Sequence, residues 1–479
     1  MHEILLHNTL SNQLEPLEPL HPGEIRMYTC GPTVYDFAHI GNFRTFVFQD
    51  VLRRFLRLRG YKMNHVMNLT DVDDRIIQNA AAEKVNIRDY TEKYVQAFLK
   101  DMNALSLEMP EKMVRATDHI DDMVSLIERL QQKTYTYSSE GSIYYRIAKF
   151  PSYGKLSHID MAGIQAGARV DVDRYEKADA RDFALWKAPK PGEQFWETAI
   201  GAGRPGWHIE CSAMSMKYLG DTLDIHTGGV DLAFPHHENE IAQSEAATGK
   251  QFVKIWLHAE HLMVEGEKMS KSLGNFYTLR DLFAKGYKPS TIRFLLLSVP
   301  YRRQLNFTMD GLQQAASSVE RLRNFVSRIE TGSFPAGGGT VADARVDNAY
   351  DAFDQALSDD LNTAQALAAV FDLVRDINTA IDRGEFRQSN VPVVLTAVRR
   401  FDQVLAVLDD NDDEKLAALG YGQKQAGPAE TEVEALVSQR QQARRARNFK
   451  RADEIREQLA ANGIILEDLK DGGVRWKRK

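Results

Sequence analysis

Hydrophobic and polar residues alternate over residues 25–30, which predicts a β-strand that ends at the turn formed by Gly31 and Pro32. Apolar residues then recur at three- and four-residue steps as far as Gly60, which is the spacing of one face of a helix. Residues 61–67 return to the strand pattern. A strand, a helix and a second strand within about 45 residues predict a crossover unit, and such units build parallel sheets that bind ligands beyond the carboxyl ends of their strands.

The hydrophobic period changes further along the chain. Two more strands are predicted at residues 223–226 and 253–258, with a helix from Pro235 to Ala247 between them. Residues from 120 to 205 lack this alternation and contain turn-forming runs, so they resemble an insertion between two halves of one sheet. From Leu312 to Ile377 the apolar residues follow helical spacing, which predicts a helical domain.

These patterns together predict an α/β protein. A Rossmann-like parallel-sheet domain carries an inserted connective segment and is followed by a helical bundle and a small C-terminal domain. A linker rich in glycine begins at Gly420 and separates the last two parts. The predicted boundaries are 1–120 and 206–304 for the two halves of the parallel-sheet domain, 121–205 for the insertion, 305–419 for the helical bundle and 428–479 for the C-terminal domain.

The composition is that of an ordinary globular protein, because 43% of the 479 residues are hydrophobic and 27% are charged. No stretch approaches the roughly 20 apolar residues of a membrane span, and the first residues lack the basic and apolar regions of a secretory signal. We therefore expect no membrane partner and a cytoplasmic location. No helix shows a sustained coiled-coil seam, so we also expect a monomer.

The charge is distributed unevenly along the chain. A net charge of −7 weighs against a nucleic-acid partner. The segment from Arg440 to Lys479, however, contains 12 lysines and arginines and only 6 acidic residues. This segment therefore carries +6 and the remaining residues carry −13. A basic segment of this kind either grips a polyanion locally or forms a solvated helical face.

The first candidate site is the tetrapeptide from His39 to Asn42, which follows the first predicted strand and begins the helix. The glycine at position 41 lets the backbone approach a ligand, and the start of a helix offers unpaired N–H groups to phosphate. The side chains of His39 and Asn42 add hydrogen-bond donors for phosphate oxygens. The same string also suits a capped helix start, so by itself it is weak evidence.

The second candidate site is the sequence Lys-Met-Ser-Lys-Ser at residues 268–272, in a predicted mobile loop. Lys268 and Lys271 suit a lid that closes over a triphosphate and neutralises the charge that develops on departing pyrophosphate. In this order, the two candidate sites resemble the HIGH and KMSKS signatures of class I aminoacyl-tRNA synthetases.

The third candidate site is a metal site. The chain has two cysteines, Cys30 and Cys211, and a random pair of this kind is best explained as two buried small hydrophobes. His236 and Glu240, however, are four residues apart and share one face of the predicted helix. Together with the cysteines they form a Cys₂HisGlu set of ligand types that suit zinc. The spacing leaves open whether His237 is the ligand in place of His236.

Four longer motifs make the resemblance to a family specific. In chain order they are Cys30–Asp36, Asn68–Asp74, Gly206–Met214 and Phe234–Glu240, and they resemble the motifs of cysteinyl-tRNA synthetases. The likeness extends from about residue 4 to Trp476 and includes residues 359–363 in the predicted helical domain.

The resemblance implies a cysteine–tRNA ligase that activates L-cysteine with ATP and transfers it to tRNA(Cys). It implies one Zn²⁺ per chain, held by Cys30, Cys211, His236 and Glu240, with the substrate thiolate as an additional ligand. Cysteine and serine differ by one atom, and zinc prefers a thiolate to a hydroxyl, so this metal would supply the discrimination. Mg²⁺ is expected to accompany ATP.

The resemblance also implies roles at single positions. His39, Asn42, Lys268 and Lys271 would be the catalytic groups that position ATP and stabilise charge. The remaining assignments are Thr70, Trp207 and His226 in the cysteine pocket, Gly41, Gly229 and Asp231 at ATP, and Arg444, Phe449, Asp453 and Asp468 at the tRNA anticodon. Asn42 departs from the family signature, because an amide replaces a second histidine whose ring can carry charge.

Two other functions are alternatives to this one. The related ligases that join cysteine to glucosaminyl-inositol in mycothiol synthesis share the catalytic core and the zinc pocket but lack the anticodon-binding domain. The basic segment that begins at Arg440 favours tRNA as the acceptor. An inactive synthetase-like RNA-binding module is the other alternative, and the intact lysine motif and complete ligand set argue against it.

Overall fold

The computed structural model describes residues 2–159, 181–421, 430–446, 448–468 and 474–478. They form two compact units, Met1–Leu419 and Gly420–Lys479. Over these described ranges, no helix is long and apolar enough to cross a membrane.

The elements of the first unit alternate between strands and helices before they become purely helical. Its strands are β1 (Leu5–Asn8), β2 (Gln13–Pro16), β3 (Glu24–Thr29), β4 (Lys62–Leu69), β5 (Lys112–Arg115), β6 (Thr136–Ser139), β7 (Ser142–Tyr145), β8 (Phe183–Lys187), β9 (Arg204–Pro205), β10 (Leu223–Gly229), β11 (Val253–Ala259), β12 (Leu262–Val264), β13 (Glu267–Lys268) and β14 (Leu305–Phe307). Its α-helices are α1 (Ile40–Leu58), α2 (Asp74–Glu83), α3 (Ile87–Ala104), α4 (Ile120–Gln132), α5 (Trp207–Leu219), α6 (Glu238–Thr248), α7 (Leu279–Ala284), α8 (Pro289–Leu297), α9 (Met309–Thr331), α10 (Asp343–Ser358), α11 (Thr363–Asp382), α12 (Asn390–Leu405) and α13 (Asp412–Ala418).

A five-stranded sheet forms the centre of this unit, in the order β11-β10-β3-β4-β5. All four pairings are parallel. The predicted crossover unit is confirmed as β3, α1 and β4, and α1 buries apolar side chains such as Phe43, Val47 and Phe55 along its whole length. The parallel pairing aligns the carboxyl ends of β3, β4 and β10 along one edge of the sheet.

The helix that was predicted from Pro235 to Ala247 corresponds to the last residues of a helical turn, Ala233–His237, which continues directly into α6 at Glu238. Residues Ala233–His237 form a single wide helical turn, in which Phe234 is extended, with φ −139° and ψ 131°. The physical reason is Pro235, because a proline lacks an N–H group and disfavours helical geometry at the preceding residue.

The predicted insertion contains α4 and a four-stranded antiparallel sheet in the order β6-β7-β8-β9. The sequence pattern did not predict these strands. All four residues of β7 are buried, so polar and apolar positions do not alternate there. Residues 160–180 of the predicted insertion lie outside the described residues.

The helical bundle that was predicted after the sheet is confirmed, and its spacing from Leu312 to Ile377 corresponds to α9, α10 and α11. A further helix, α12, packs on α9 and α10 through residues that include Val394 and Phe401. The exact domain boundaries drawn from the sequence remain a prediction.

The second unit is small and has its own core. It consists of α14 (Glu430–Arg445), α15 (Phe449–Ala461) and an antiparallel hairpin of β15 (Ile464–Asp468) and β16 (Val474–Arg478). Its core side chains are Val433, Val437, Ile455, Leu459 and Ile464.

Candidate active site

The carboxyl edge of the parallel sheet collects residues that are far apart in the sequence. Cys30 follows β3, Thr70 follows β4, and His226 and Gly229 lie on β10 between β3 and β11. The Cys30 backbone N–H donates to the carbonyl of Thr227 on β10 at 3.3 Å. This edge is where parallel α/β sheets bind ligands.

The four predicted metal ligands come together at this edge and are buried. One ligand atom from each of Cys30, Cys211, His236 and Glu240 lies within 4.8 Å of all the others. The two sulfurs are 3.8 Å apart, and both cysteines are free thiols. A tetrahedral zinc with Zn–S bonds of about 2.3 Å sets two sulfurs about 3.8 Å apart, so the donor types and the sulfur spacing fit zinc.

Two helices hold these ligands in position. Cys211 lies on α5, where Trp207 stands one turn earlier at the start of the helix. His236 lies on the wide turn before α6 and Glu240 in the first turn of α6, and His236 Nε2 is 3.0 Å from Glu240 Oε1. The spacing of four residues therefore brings both side chains to one face, as the sequence predicted.

A second set of four overlaps the first and consists of Cys30, His226, His237 and Glu240. The structure thus places both His236 and His237 near Glu240, which matches the alternative that the spacing left open. The first set contains two cysteines and the second contains one. Zinc favours thiolate ligands, so ligand chemistry favours the set with Cys211 and His236.

The ionisation of the cluster also suits a cation. The contact with Cys30 lowers the pKa of Cys211 to about 6, which makes this thiol the more readily ionised of the two. Burial opposes the charged form of His236, but its contacts with Cys211 and Glu240 raise its pKa to about 10. Burial likewise opposes the charged form of Glu240, whereas His226 and His236 lower its pKa overall. The cluster is therefore stabilised by positive charge near Cys211 and Glu240.

A chain of hydrogen bonds connects the candidate ligand Cys30 to residues outside the cluster. His237 Nε2 lies 3.3 Å from Cys30 Sγ, and its Nδ1 lies 2.7 Å from His258 Nε2. His258 Nδ1 in turn lies 2.8 Å from the Thr9 hydroxyl. Burial lowers the pKa of His258 to about 3 and that of His237 well below its ordinary value, so both rings are neutral at pH 7. Such outer partners orient metal ligands and fix the tautomers of histidines.

The predicted cysteine-pocket residues surround the same cluster. The Thr70 hydroxyl accepts a hydrogen bond from Asn68 Nδ2 at 3.0 Å, and the rings of Trp207 and His236 are 4.3 Å apart. His226 is fully buried, and its Nε2 lies 2.9 Å from Glu240 Oε2. Of these three residues, His226 is therefore bonded directly to a candidate metal ligand.

The candidate phosphate-binding helix start is built by His39 and Asn42. His39 Nδ1 accepts from the Asn42 backbone N–H, and Asn42 Oδ1 accepts from the His39 backbone N–H, both at 3.1 Å. Burial lowers the pKa of His39 to about 4, so its ring is neutral and carries its proton on Nε2, where it remains a donor. The amide of Asn42 thus completes a capping box, a role that needs an acceptor oxygen.

The lysine loop is docked against this helix start. A Cβ atom on Gly41 would lie 3.3 Å from Met269 Cε, so the loop methionine covers the glycine. The Phe276 ring is 5.2 Å from the His39 ring, and the Ile40 backbone N–H donates to the Tyr277 carbonyl at 3.0 Å. Lys268 and Lys271 are both exposed on the loop.

Gly229 and Asp231 lie at the end of β10, close to the same helix start. A Cβ atom on Gly229 would collide with Asp231 Oδ1 and lie 3.8 Å from the Thr45 hydroxyl oxygen of α1. Asp231 raises the pKa of His39, against the larger opposing effect of burial, so its charge is within electrostatic reach of that ring. The structure therefore places Gly229 and Asp231 near His39 and α1.

The predicted anticodon residues lie in the second unit. Arg444 is in the last turn of α14, and Phe449 is the first residue of α15, with 60% of its surface exposed. Asp453 is exposed one turn after Phe449 on the same helix face. Asp468 ends β15, and its side chain lies outside the described part of the chain.

Family comparisons agree with this arrangement of fold and site. Residues 16–317 match the model for the class I (C) tRNA synthetase catalytic domain. Residues 352–409 match a DALR domain, and residues 429–476 match the cysteinyl-tRNA ligase anticodon binding domain. A parallel sheet with a His39–Asn42 helix start and a docked lysine loop, matched by these models, defines a class I aminoacyl-tRNA synthetase.

Similar proteins narrow the class to one family. The chain is 59% identical over 473 residues to the cysteine–tRNA ligase of Solibacter usitatus and 57% identical over 492 residues to that of Koribacter versatilis, with 99% of both chains covered in each case. A solved structure of Mycobacterium tuberculosis methionyl-tRNA synthetase with methionyl-adenylate has a TM-score of 0.61 at 16% identity, covering 83% of this chain and 94% of that chain, which shows the fold. This chain belongs to the cysteine–tRNA ligase family. The predictions of an α/β synthetase fold and of an aminoacyl-tRNA ligase are therefore confirmed.

Proposed function

We propose that this protein joins L-cysteine to ATP as cysteinyl-adenylate, with release of pyrophosphate, and then transfers the cysteinyl group to tRNA(Cys). The observation that carries the proposal is the buried Cys₂HisGlu cluster at the carboxyl edge of the sheet, in the same unit as the docked lysine loop. We further propose that the enzyme acts in the cytoplasm as a monomer.

Zinc is the metal that this cluster would hold, through Cys30, Cys211, His236 and Glu240. When bound, it supplies a borderline-soft cation that prefers the thiolate of cysteine to the hydroxyl of serine. The chain itself contributes the rest of the pocket, where Thr70, Trp207 and His226 would line the amino-acid site. Shape alone discriminates poorly between side chains that differ by a single atom, so the donor set matters more than the cavity.

Adenylate formation needs positioning and charge stabilisation rather than a covalent nucleophile on the enzyme. The cysteine carboxylate oxygen forms a bond to the α-phosphorus of ATP while the bond to pyrophosphate breaks. His39 would donate from Nε2 to a phosphate oxygen, with Asn42 holding the helix start in shape. Lys268 and Lys271 would stabilise charge on the departing pyrophosphate, and Mg²⁺ would accompany the phosphates.

The remaining nucleotide contacts are assigned to backbone approach. Gly41, which has no side chain, would let the backbone of the helix start approach a phosphate once the loop residue Met269 moves aside, and Gly229 and Asp231 would lie near the adenosine. The exposed aromatic ring of Phe449 would stack on an anticodon base, and Arg444, Asp453 and Asp468 would contact neighbouring bases. The terminal ribose of the tRNA would then take the cysteinyl group through its 2′-hydroxyl.

The test is ATP–pyrophosphate exchange with cysteine and with serine as matched substrates, followed by transfer to one of two acceptors. We expect exchange with cysteine, negligible exchange with serine, and transfer to tRNA(Cys). Transfer to glucosaminyl-inositol instead of tRNA would assign the protein to the mycothiol pathway. The absence of exchange with any amino acid would contradict the proposed activity altogether.

A further inference from the structure

Lys271 of the lysine loop forms an ion pair with Asp36, which lies in the segment between β3 and α1. Lys271 Nζ donates to Asp36 Oδ2 at 2.7 Å, and the ammonium also lies 5.2 Å from the centre of the Phe276 ring. The other carboxylate oxygen of Asp36 accepts from the Phe37 backbone N–H at 2.8 Å. The carboxylate is therefore oriented by its own backbone before it meets the lysine.

The loop already has apolar and backbone ties to this region through Met269, Phe276 and Tyr277. Those contacts fix the loop backbone and leave the long side chain of Lys271 free to take many rotamers. The contact with Asp36 acts on the ammonium itself. It holds the charge near His39, whose pKa Lys271 lowers.

An ammonium group has three N–H donors. Asp36 accepts one of them, so two remain for phosphate oxygens while the ion pair is intact. The lysine can therefore contact the nucleotide without leaving the carboxylate. Orientation before the reaction is worth most when a charged group acts only on the developing charge of the transition state.

We propose that Asp36 is a positioning residue that holds the Lys271 ammonium over the ATP phosphates during adenylate formation. This inference rests on the proposed role of Lys271 in ATP activation. Because the ion pair is exposed, with 66% of the Lys271 side chain and 38% of the Asp36 side chain accessible, it contributes little to folding. Its loss should act on the reaction rate and leave the stability of the fold unchanged.

The experiment is a double-mutant cycle of Asp36→Asn and Lys271→Ala, measured as the kcat and the ATP KM of cysteine-dependent pyrophosphate exchange. We expect Asp36→Asn to lower kcat by about tenfold, within the range that misplaced catalytic groups produce. The ATP KM should change by less than about twofold, because the positioned ammonium acts mainly on charge that develops in the transition state and little on bound ATP. Asp36→Asn should have no further effect once Lys271 is alanine, and Asp36→Glu should restore part of the rate.

The chain offers a matched control in Asp221. Its carboxylate accepts from Lys250 Nζ at 2.7 Å, and the two side chains are 39% and 62% accessible, which closely matches the pair in the loop. Asp221→Asn should leave exchange unchanged. Thermal melting of all variants should coincide with that of the parent protein.

The outcomes separate the two proposals. Unchanged exchange in Lys271→Ala would remove Lys271 from the reaction and contradict the proposed function. A slow Lys271→Ala enzyme combined with equal effects of Asp36→Asn in both backgrounds would refute positioning through Lys271. A faster Asp36→Asn enzyme would also refute it, because Asp36 would then restrain the lysine.

Discussion

Replacing Glu238 with glutamine tests how the inserted segment supports α6, the helix that carries the candidate metal ligand Glu240. Glu238 is fully buried at the start of α6, two residues before Glu240. Its Oε1 accepts from the Gly154 backbone N–H at 2.8 Å. Its Oε2 accepts from the backbone N–H groups of Leu156 at 3.1 Å and Ser157 at 2.9 Å, and from the Ser157 hydroxyl at 2.9 Å. One carboxylate thus receives four hydrogen bonds.

A glutamine cannot accept all four. The least costly orientation places its NH₂ group against the N–H of Gly154, which leaves a buried donor unpaired at about 1–3 kcal/mol. The three other bonds become neutral and lose roughly 0.5–1 kcal/mol each, while the smaller desolvation of an amide offsets part of this loss. The local structure therefore loses about 3 kcal/mol of stability against opening. At about 1.4 kcal/mol per tenfold, this loss raises the equilibrium constant for local opening roughly 100-fold.

Hydrogen exchange of the peptide that contains residues 154–157 measures this loss directly. We expect exchange roughly 100-fold faster in Glu238→Gln, together with weaker retention of metal because Glu240 shares the same helix turn. Glu83→Gln is the control, since Glu83 is exposed and pairs with Lys93 at 3.0 Å. Exchange within about threefold of the parent protein would refute the view that these amides hold Glu238.

Two further changes test the metal cluster. Cys211→Ser should raise the KM for cysteine far more than the KM for ATP in pyrophosphate exchange, since the metal would contact the amino acid. Equal increases of the two KM values would indicate a purely structural metal. Thr9→Val removes the hydroxyl that bonds His258, which reaches Cys30 through His237, and should speed zinc loss to a chelator by less than the roughly tenfold to 100-fold effect of a partner bonded directly to a ligand. Thr9→Ser keeps the hydroxyl and should retain zinc like the parent, and equal loss from both variants would exclude the hydroxyl.

The parallel sheet was predictable because local hydrophobic patterns indicate its strands and the helix between them. Strand and helix periods are visible within about 45 residues, and a crossover then requires parallel pairing. The antiparallel strands of the insertion were not predictable, since β7 is buried on both faces and has no alternation. The start at Pro235 of the helical segment that leads into α6 was predictable, because a proline disfavours helical geometry at the residue before it, and Phe234 is extended.

The contacts of the candidate site were predictable only where residue spacing or a sequence motif indicates them. His236 and Glu240 share a helix face, so their contact follows from a separation of four residues. Thr9 and His258 are 249 positions apart, so no local sequence pattern predicts their hydrogen bond. In the structure the side-chain oxygen of Asn42 caps α1, which the signature does not indicate. Of the Asn42 side chain the cap uses only this oxygen, so donation from the NH₂ group to phosphate stays a prediction.

Deleting everything after Gly427 tests whether adenylation and tRNA recognition reside in different units. The candidate ATP and metal residues all lie in the first unit, before residue 276 of the chain. The second unit has a separate core and contains the segment of +6 charge from Arg440 to Lys479. We therefore expect cysteine-dependent pyrophosphate exchange within about twofold of the parent, because binding energy for ATP and cysteine would not come from the removed unit.

Transfer to tRNA should fail in the same truncated protein. The remaining body is acidic, so it lacks the basic surface that best accounts for attraction to a polyanion, and charging by the parent should weaken as salt rises. Phe449→Ala is the matched point variant: losing one stacked base of about 1–3 kcal/mol should raise the tRNA KM roughly 10-fold or more without altering exchange. If the truncated, folded protein charged full-length tRNA with an unchanged KM, the anticodon roles of Arg444, Phe449, Asp453 and Asp468 would be wrong, and recognition would have to reside in the first unit.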